Sequence, residues 1–251
     1  MGSFRQPKYR ARVATDPADI EAAQRLRYQA FVDAGDLHRR DCDAFDGKCR
    51  HILIEEIRTG RLVCCFRLLP LDCGRDLPNS YAAQYYELSR LHDYPGRMVE
   101  LGRFCILPGL RDPDILRLAW SEMARYVDEN AVDMLFGCSS FRGIDADAYA
   151  DAFAMLKERH LAPKRWLPRV KAPDVFRYAR RLRSRPDTRR ALLTMPPLLR
   201  SYLAMGGWVS DHAVVDRDLG TLHVFTGLEI SAIPPARAAI LRGVAGGGVS
   251  V

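Results

Sequence analysis

Glu100-Leu101-Gly102-Arg103-Phe104-Cys105-Ile106 sets an acid and an arginine inside a run that otherwise reads as an apolar strand. A charge in a buried strand is costly unless it is paired or neutralised. In a regular strand the two side chains would point to opposite faces, because side chains alternate with period two. Gly102 lies between them, where a bulge could form and turn both toward one cleft. Two readings follow: a Glu–Arg pair that only fixes strand register, or a site that uses both groups.

The segments on either side alternate between strand and helix. Lys8–Ala14 reads as a short strand, and Asp16-Pro17-Ala18-Asp19 supplies the acids and proline that suit a helix N-terminus. On that helix, running to about Phe31, Ile20, Ala23, Arg27, Ala30 and Phe31 share one face. Arg27 therefore sits in the apolar stripe, which calls for a carboxylate partner or an anionic substrate. Asp41, Asp43 and Asp46 can supply the partner. His51–Glu56 and Leu62–Leu69 flank Arg58-Thr59-Gly60 as a hairpin, with Arg67 a second basic residue in an apolar strand. After Ile106 come Pro108-Gly109 and a helix start at Asp112-Pro113-Asp114, then a strand over Val132–Cys138 and a helix over Asp145–Arg159. A connection with Pro163, Pro168 and Pro173 leads to an apolar helix near Pro197–Met205, then to two strands, Trp208–Val215 and Thr221–Ile230. The order is β-α-β-β-β-α-β-α, then α and β-β. It predicts an α/β (α+β) fold with a mixed sheet and helices on its faces. The glycines at 246–248 are expected to fray.

With 251 residues, 48% apolar and 27% charged, the chain is long enough to bury a sizeable core as one domain, or one domain with an extension. No apolar run is long enough to span a bilayer. The start, Met1 to Gln6, has no signal-peptide core, and Gln6 breaks the myristoylation pattern. Seven cysteines without CxxC spacing argue for reduced thiols and a cytoplasmic setting.

The net charge of +7 is unevenly spread. Lys157 to Arg200 holds 14 basic residues against three acids, leaving the rest of the chain net acidic. Arg177, Arg180, Arg181, Arg183 and Arg185 form its densest part. A solvated helix face is one reading; an anionic partner, protein or lipid surface, is the other. Nucleic acid is disfavoured, because no helix-turn-helix, RNA-binding sheet or zinc finger accompanies the basic run.

Familiar catalytic devices are missing. Gly137-Cys138-Ser139-Ser140-Phe141 lacks the second glycine of a nucleophile elbow. The six histidines are scattered, so neither a metal site nor a histidine-based triad is expected. Cys105 could be a thiol nucleophile or simply a small buried hydrophobe. There is neither a Walker loop nor a GxGxxG.

Arg27-Tyr28-(x2)-Phe31, Asp43-(x2)-Asp46, Arg67-Leu68-Leu69-Pro70 and Glu100-(x2)-Arg103, taken in order, resemble the GNAT-related acyltransferases that draw acyl groups from acyl carrier protein. That group includes the acyl-homoserine lactone synthases and the ornithine N-acyltransferases of bacterial ornithine-lipid synthesis. Asp43-Ala-Phe-Asp46, Glu100-Leu-Gly-Arg103-x-Cys105, Leu135-Phe-Gly-Cys138-x-Ser140-Phe141, His160-Leu-Ala-Pro163 and Pro196-Pro-Leu-Leu-Arg-Ser-Tyr202-Leu resemble the ornithine branch more closely. The likeness runs over roughly residues 8–230. The lactone synthases usually carry a tryptophan shortly after the position of Phe31, where this chain has Gly35-Asp36-Leu37. Acetyl-CoA-dependent relatives carry a Q/R-x-x-G-x-G/A loop, where this chain has Leu107-Pro-Gly-Leu-Arg-Asp.

The resemblance implies a single GNAT-like domain over 1–251: a core of about 8–160 with a mainly antiparallel sheet, a basic linker of about 161–200, and a C-terminal helix and strands of about 196–230. It implies transfer of a (3-hydroxy)fatty acyl group from acyl carrier protein to the α-amino group of ornithine. No cofactor or metal would be resident, the donor being the carrier protein's acyl-4′-phosphopantetheine. Glu100 would be the general base, with Arg103 beside it held by Asp43, Asp46 or the acceptor's carboxylate. Arg27 and Arg67 would lock the Asp43–Asp46 loop. Phe31, Cys105, Ser139 and Ser140 would line the substrate path, and the acyl chain would lie between the sheet and the helix at Tyr149–Leu156. The basic arginines would meet the acidic carrier protein; with Leu198, Leu199 and Tyr202 they could also touch the inner face of an anionic membrane. An acyl-homoserine lactone synthase and a non-catalytic carrier-protein or membrane-binding module are the alternatives.

Overall fold

The computed structural model describes residues 7–245, so the readings made for the first six residues and for the glycines at 246–248 lie outside the described residues. In chain order the elements are β1 (Tyr9–Val13), α1 (Pro17–Phe31), β2 (Arg50–Glu56), β3 (Leu62–Leu71), β4 (Tyr86–Glu87), β5 (Met98–Ile106), α2 (Pro113–Glu129), β6 (Met134–Arg142) and α3 (Ala150–Arg159). Then follow β7 (Arg169–Val170), β8 (Val175–Phe176), α4 (Tyr178–Arg181), α5 (Thr188–Thr194), α6 (Pro197–Ala204), β9 (Trp208–Val209), β10 (Ala213–Asp216), β11 (Thr221–Glu229) and α7 (Pro235–Ala245). Pairing is antiparallel for β1–β2, β2–β3, β6–β11 and β10–β11 and parallel for β5–β6, which gives the mixed sheet with flanking helices that the element order predicts, mainly antiparallel as the resemblance implies. Among the described residues no helix is long and apolar enough to cross a membrane.

The chain divides into two compact units. The first gathers the described residues up to Leu69, Leu101–Asn130 and the residues from Ala238 on; the second gathers Pro70–Glu100 and Ala131–Arg237. Strand β5 thus passes from one unit to the other between Glu100 and Leu101.

In the first unit the strand order is β1-β2-β3-β5. Helix α1 begins at Asp16, whose carboxylate accepts the Asp19 N–H at 3.0 Å, with Pro17 as the first helical residue. This satisfies one of the four backbone donors that a helix start leaves open. The buried side of α1 carries Ala23, Gln24, Leu26, Arg27 and Tyr28. Ala23 and Leu26 pack with Leu53, Cys65 and Cys105. Helix α2 starts in the same way at Asp112, which also accepts from Lys8 Nζ at 2.8 Å and so ties the helix start to β1.

Strand β5 is irregular, but not where the sequence placed the irregularity. Arg103, with φ of 51°, takes the left-handed backbone, and Gly102 does not. A Cβ on Gly102 would come to 3.4 Å from Arg67 Nε, an ordinary contact, so Gly102 lies against that side chain.

In the second unit the order is β5-β6-β11-β10-β8, with β9 also on β11. The parallel register of β5 and β6 joins Met98 to Met134, Val99 to Leu135 and Glu100 to Phe136, and stops there. Strands β6 and β11 pair antiparallel along their whole length, Met134 to Glu229 and Arg142 to Thr221. The strand expected over Trp208–Val215 is interrupted by Ser210-Asp211-His212. Ser210 N donates to Phe225 O at 2.9 Å, while its hydroxyl accepts the Phe225 N–H at 3.1 Å and donates to His212 O at 2.7 Å. One hydroxyl thus closes the gap in the ladder, as buried backbone groups require.

One face of this sheet is sealed by helices. Phe141, Leu222 and Val224 pack against Phe153 and Leu156 of α3, Tyr178 of α4, Ala191 of α5 and Leu199 of α6. This corrects two expectations. The space between the sheet and α3 is filled by stacked and tilted rings of Phe141, Phe153 and Tyr178, leaving no room there for an acyl chain. The segment read as a basic linker is folded, with Tyr178, Ala191 and Met195 in the core.

Candidate active site

Three arginines and three aspartates interlock in the first unit. Arg27, on the buried side of α1, bonds Asp46 through Nη1 at 2.6 Å and Nη2 at 2.9 Å, and Asp41 through Nε at 2.9 Å. Its Nη2 also donates to the Asp41 carbonyl. Arg67, from β3, donates to both Asp43 oxygens at 2.6 and 2.7 Å and to Asp46 at 2.7 Å. Arg103, from β5, donates to Asp41 at 2.9 Å and lies 3.2 Å from Asp43. Gln24 Nε2 donates to Asp46 at 2.9 Å, and His51 Nε2 lies 2.9 Å from the Asp46 carbonyl oxygen.

Arg27, Arg67 and Asp46 are buried at 1%, 3% and 7% exposure, so the centre of this network is out of water, while Asp41, Asp43 and Arg103 are half-buried. Its charges balance, which is the condition for tolerating them there. Burial alone would raise the Asp46 carboxyl, but the hydrogen bond from Arg27 and the charges of Arg27 and Arg67 outweigh it and hold it well below the usual range. Asp43 is held down against burial by Arg67 and Arg103 in the same way. Burial pushes the His51 imidazole down, toward its neutral form. The network pins the stretch from Asp41 to Asp46 onto three separate elements. Arg103 takes Asp41 and Asp43; of the partners expected for it, Asp43, Asp46 or the acceptor's carboxylate, Asp43 is met.

Glu100 lies in the second unit, 3% exposed. Its Oε2 accepts the Tyr81 N–H and its Oε1 the Ala82 N–H, both at 2.7 Å. Both donors lie at the head of the 3-10 turn Ala82–Gln84. Burial pushes the Tyr202 phenol on α6 up, and the negative charge of Glu100 adds to that.

Register places more polar groups on the sheet face that carries Glu100. Glu100 lies opposite Phe136, Cys138 opposite Phe225, and Ser140 opposite His223, and paired residues share a face. Tyr86 covers this region: its hydroxyl donates to the His223 carbonyl at 2.8 Å and lies 3.1 Å from His223 Nδ1. With its only proton on the carbonyl, the hydroxyl must accept from Nδ1–H, which leaves Nε2 as the bare nitrogen. His223 Nε2 and His212 Nε2 are both buried without a hydrogen-bond partner, and His212 Nδ1 holds Asp211 at 2.7 Å. Tyr85 stands edge-on to His223 with ring centroids 5.0 Å apart, and the Tyr81 and Tyr85 hydroxyls meet at 3.3 Å.

Several sequence-predicted site residues lie elsewhere. Ser139 points to the helix-covered face, where it accepts from the Thr226 hydroxyl at 2.9 Å; Ser140 is exposed on the Glu100 face. Cys105 is 4% exposed in the α1 core, its Sγ 3.5 Å from Cys65 Sγ, so it is a core residue and not part of a substrate path. Phe31, half-buried, packs on the edge of that core. Leu199 and Tyr202, expected at a membrane, are buried at 0% and 2%. Arg177, Arg180, Arg181, Arg183 and Arg185 are all exposed. Sequence reasoning missed Gln24, Tyr81, Tyr86, His212 and His223. Only Gln24 carried a local signal, one helical turn before Arg27.

The sequence pattern described as "Acetyltransferase (GNAT) domain" matches residues 26–121, a span that contains Arg27, Asp41, Asp43, Asp46, Arg67, Glu100 and Arg103. With the mixed sheet and its helices, this match gives that stretch as a GNAT-class acetyltransferase domain. An L-ornithine N(alpha)-acyltransferase of Rhodobacter capsulatus is 34% identical over 238 residues, covering 90% of this chain and 91% of that one. The protein of the same name from Agrobacterium fabrum is 32% identical over 238 residues, 88% of this chain and 81% of that one. The chain belongs to the L-ornithine N(alpha)-acyltransferase family. Its fold is shared by FeeM, an N-acyl amino acid synthase from uncultured soil microbes, at a TM-score of 0.52, 11% identity and coverage of 90% of this chain and 94% of that one.

Proposed function

We propose that this acyltransferase moves a (3-hydroxy)fatty acyl group from acyl carrier protein to the α-amino group of ornithine, with Glu100 as general base. The observation that carries the reading is the Glu100 carboxylate. It is buried, oriented by two backbone N–H groups at 2.7 Å, and placed where the β5–β6 register ends. The relatives' names supply the acceptor, ornithine, and the α-amino position.

Aminolysis of a thioester needs a deprotonated amine, so a fixed acceptor of protons near the attacking nitrogen speeds the step. The amine nitrogen forms a bond to the thioester carbon and its proton passes to Glu100. The C–S bond then breaks, and the thiolate takes the proton back as the pantetheine thiol leaves. Backbone N–H groups near the end of the β5–β6 register would hold the intermediate's oxyanion, a service typically worth about 3 kcal/mol for each donor. Arg27, Arg67 and Arg103 act one step removed, holding the Asp41–Asp46 stretch in a single arrangement.

The donor reading rests on the loop after β5. Leu107-Pro108-Gly109-Leu110 carries one glycine where a coenzyme A pyrophosphate loop carries two, which favours a pantetheine arm delivered by a carrier protein. Nothing would be resident in the site between turnovers. The enzyme would work in the cytoplasm, at the inner face of the membrane that receives its lipid product.

The test is a product assay. Purified enzyme receives one acyl-carrier-protein donor with ornithine or S-adenosylmethionine, and products are weighed by mass spectrometry. The reading expects an N-acylornithine and no lactone; release of thiol without acylornithine would remove it. Glu100→Gln is expected to lower kcat by about 10²–10⁴-fold, and wild-type turnover in that variant would remove Glu100 as base.

A further inference from the structure

Helix α5 turns two leucines outward. Its Ala191 is fully buried against α3, and Asp187 caps the start by accepting the Arg189 and Arg190 N–H groups at 2.9 and 3.0 Å. At about 100° per residue, Arg189 and Leu193 lie within about 20° of the direction opposite Ala191, with Leu192 about 80° to one side and Arg190 about 80° to the other. Leu192 is 45% and Leu193 75% exposed, although an apolar residue on a core-anchored helix could have been polar at no cost to folding.

Cations stand beside the leucines. Arg189 and Arg190 precede them on the same helix, and Arg200 of α6 donates to the Leu192 carbonyl at 3.3 Å. Arg177, Arg181, Arg183 and Arg185 come earlier in the same arginine-rich segment. Among the described residues Arg177, Arg181, Arg183, Arg185, Arg189 and Arg200 form no salt bridge. Asp187 is the one acid between Arg177 and Arg200, and it is already engaged as the α5 cap.

We infer that the outward face of α5 docks on an anionic lipid surface, with Leu192 and Leu193 entering the acyl boundary and the arginines meeting the headgroups. An acidic protein would be served by the arginines alone. Exposed leucines beside exposed arginines match a surface that is charged at the top and apolar beneath. Each basic residue near such a surface multiplies binding by about fivefold, and burying a leucine multiplies it by about tenfold or more. The inference extends the acyltransferase reading by saying where a lipid product leaves, but the binding does not depend on turnover.

Flotation of the intact protein with phosphatidylcholine vesicles, with and without phosphatidylglycerol, tests it. Wild type should float with the phosphatidylglycerol vesicles and be released by salt. Leu192→Asp combined with Leu193→Asp should cut that binding by about 100-fold, with circular dichroism, melting temperature and turnover on a carrier-protein donor unchanged. Equal binding to both vesicle types, no binding to either, or wild-type binding by the leucine variant would overturn the proposal. So would a leucine variant that keeps its vesicle binding but shows a raised KM for the carrier protein, since the face would then dock the donor. Flotation that behaves as expected in a protein giving no acylornithine would overturn the catalytic reading and leave this one standing.

Discussion

Arg103 reaches Asp41 at 2.9 Å from a backbone held in the left-handed region, with φ of 51°. For a residue with a Cβ that conformation costs about 1–2 kcal/mol. The ion pairs to Asp41 and Asp43 offset it, so the β5 irregularity serves to aim this guanidinium. Arg103→Ala keeps the strain and loses the pairs; Arg103→Gly loses the pairs but relieves the strain. Urea unfolding should find the glycine variant more stable than the alanine variant by about 1 kcal/mol. The reverse order would mean that β5 relaxes without Arg103.

Asp46 is the hub of the network, accepting from Arg27, Arg67 and Gln24. Asp46→Asn conserves shape but leaves the buried arginines in excess, which should cost about 3–5 kcal/mol. The pH profile should change as well. Asp43 and Asp46 are held below their ordinary range, so their contribution is fully present above the unfolded carboxylate value of about 3.9 and is lost as pH falls toward the folded values. Wild type should therefore lose stability steeply below about pH 4, and the asparagine variant less steeply. Parallel acid limbs for the two proteins would contradict this.

The network was legible in the sequence because its charges fall out of phase with their surroundings. Arg27 interrupts a helical apolar stripe, Arg67 and Arg103 interrupt apolar strands, and the aspartates stand together in a stretch with no strand or helix pattern. The other long elements were equally legible from period and caps, but α7 was not read from the sequence although it is eleven residues long. The basic segment was not legible, because β7, β8, α4 and α5 are two to seven residues long and too short to show a period. The break at Ser210 depends on one hydroxyl bridging two strands, and no local pattern announces it. Tyr86 and His223 meet across 137 residues of chain, so a pass along the sequence sees two unrelated positions. The left-handed Arg103 escaped for a different reason: the adjacent glycine was the natural candidate.

Glu100 carries two demands that a single substitution can separate. Beyond its effect on turnover, Glu100→Gln should reduce stability. An amide has one oxygen, so its NH2 must face either the Tyr81 or the Ala82 N–H, and one buried donor goes unsatisfied. That costs about 1–3 kcal/mol, or a drop in melting temperature of several degrees for a chain of this length. A variant that melts like wild type would mean the turn at Ala82–Gln84 does not depend on this carboxylate.

His223 should set a second acid-sensitive step, separate from the aspartates. Burial, helped by the nearby His212, pushes its imidazole down to about 4. The unfolded chain takes up a proton near pH 6.5 that the folded chain refuses until about pH 4, so the unfolded state binds more protons between those values. Stability is therefore intact above about pH 6.5 and declines as pH falls through that window, by up to about 3 kcal/mol. The Tyr86 hydroxyl keeps its bond to the His223 carbonyl when the side chain changes, so His223→Phe removes the titrating group while leaving that backbone anchor. Thermal unfolding at pH 7 and pH 5 should show a smaller decline in the phenylalanine variant than in wild type, the buried His51 and His160 still contributing in both. Equal declines in both proteins would place the proton uptake at another group.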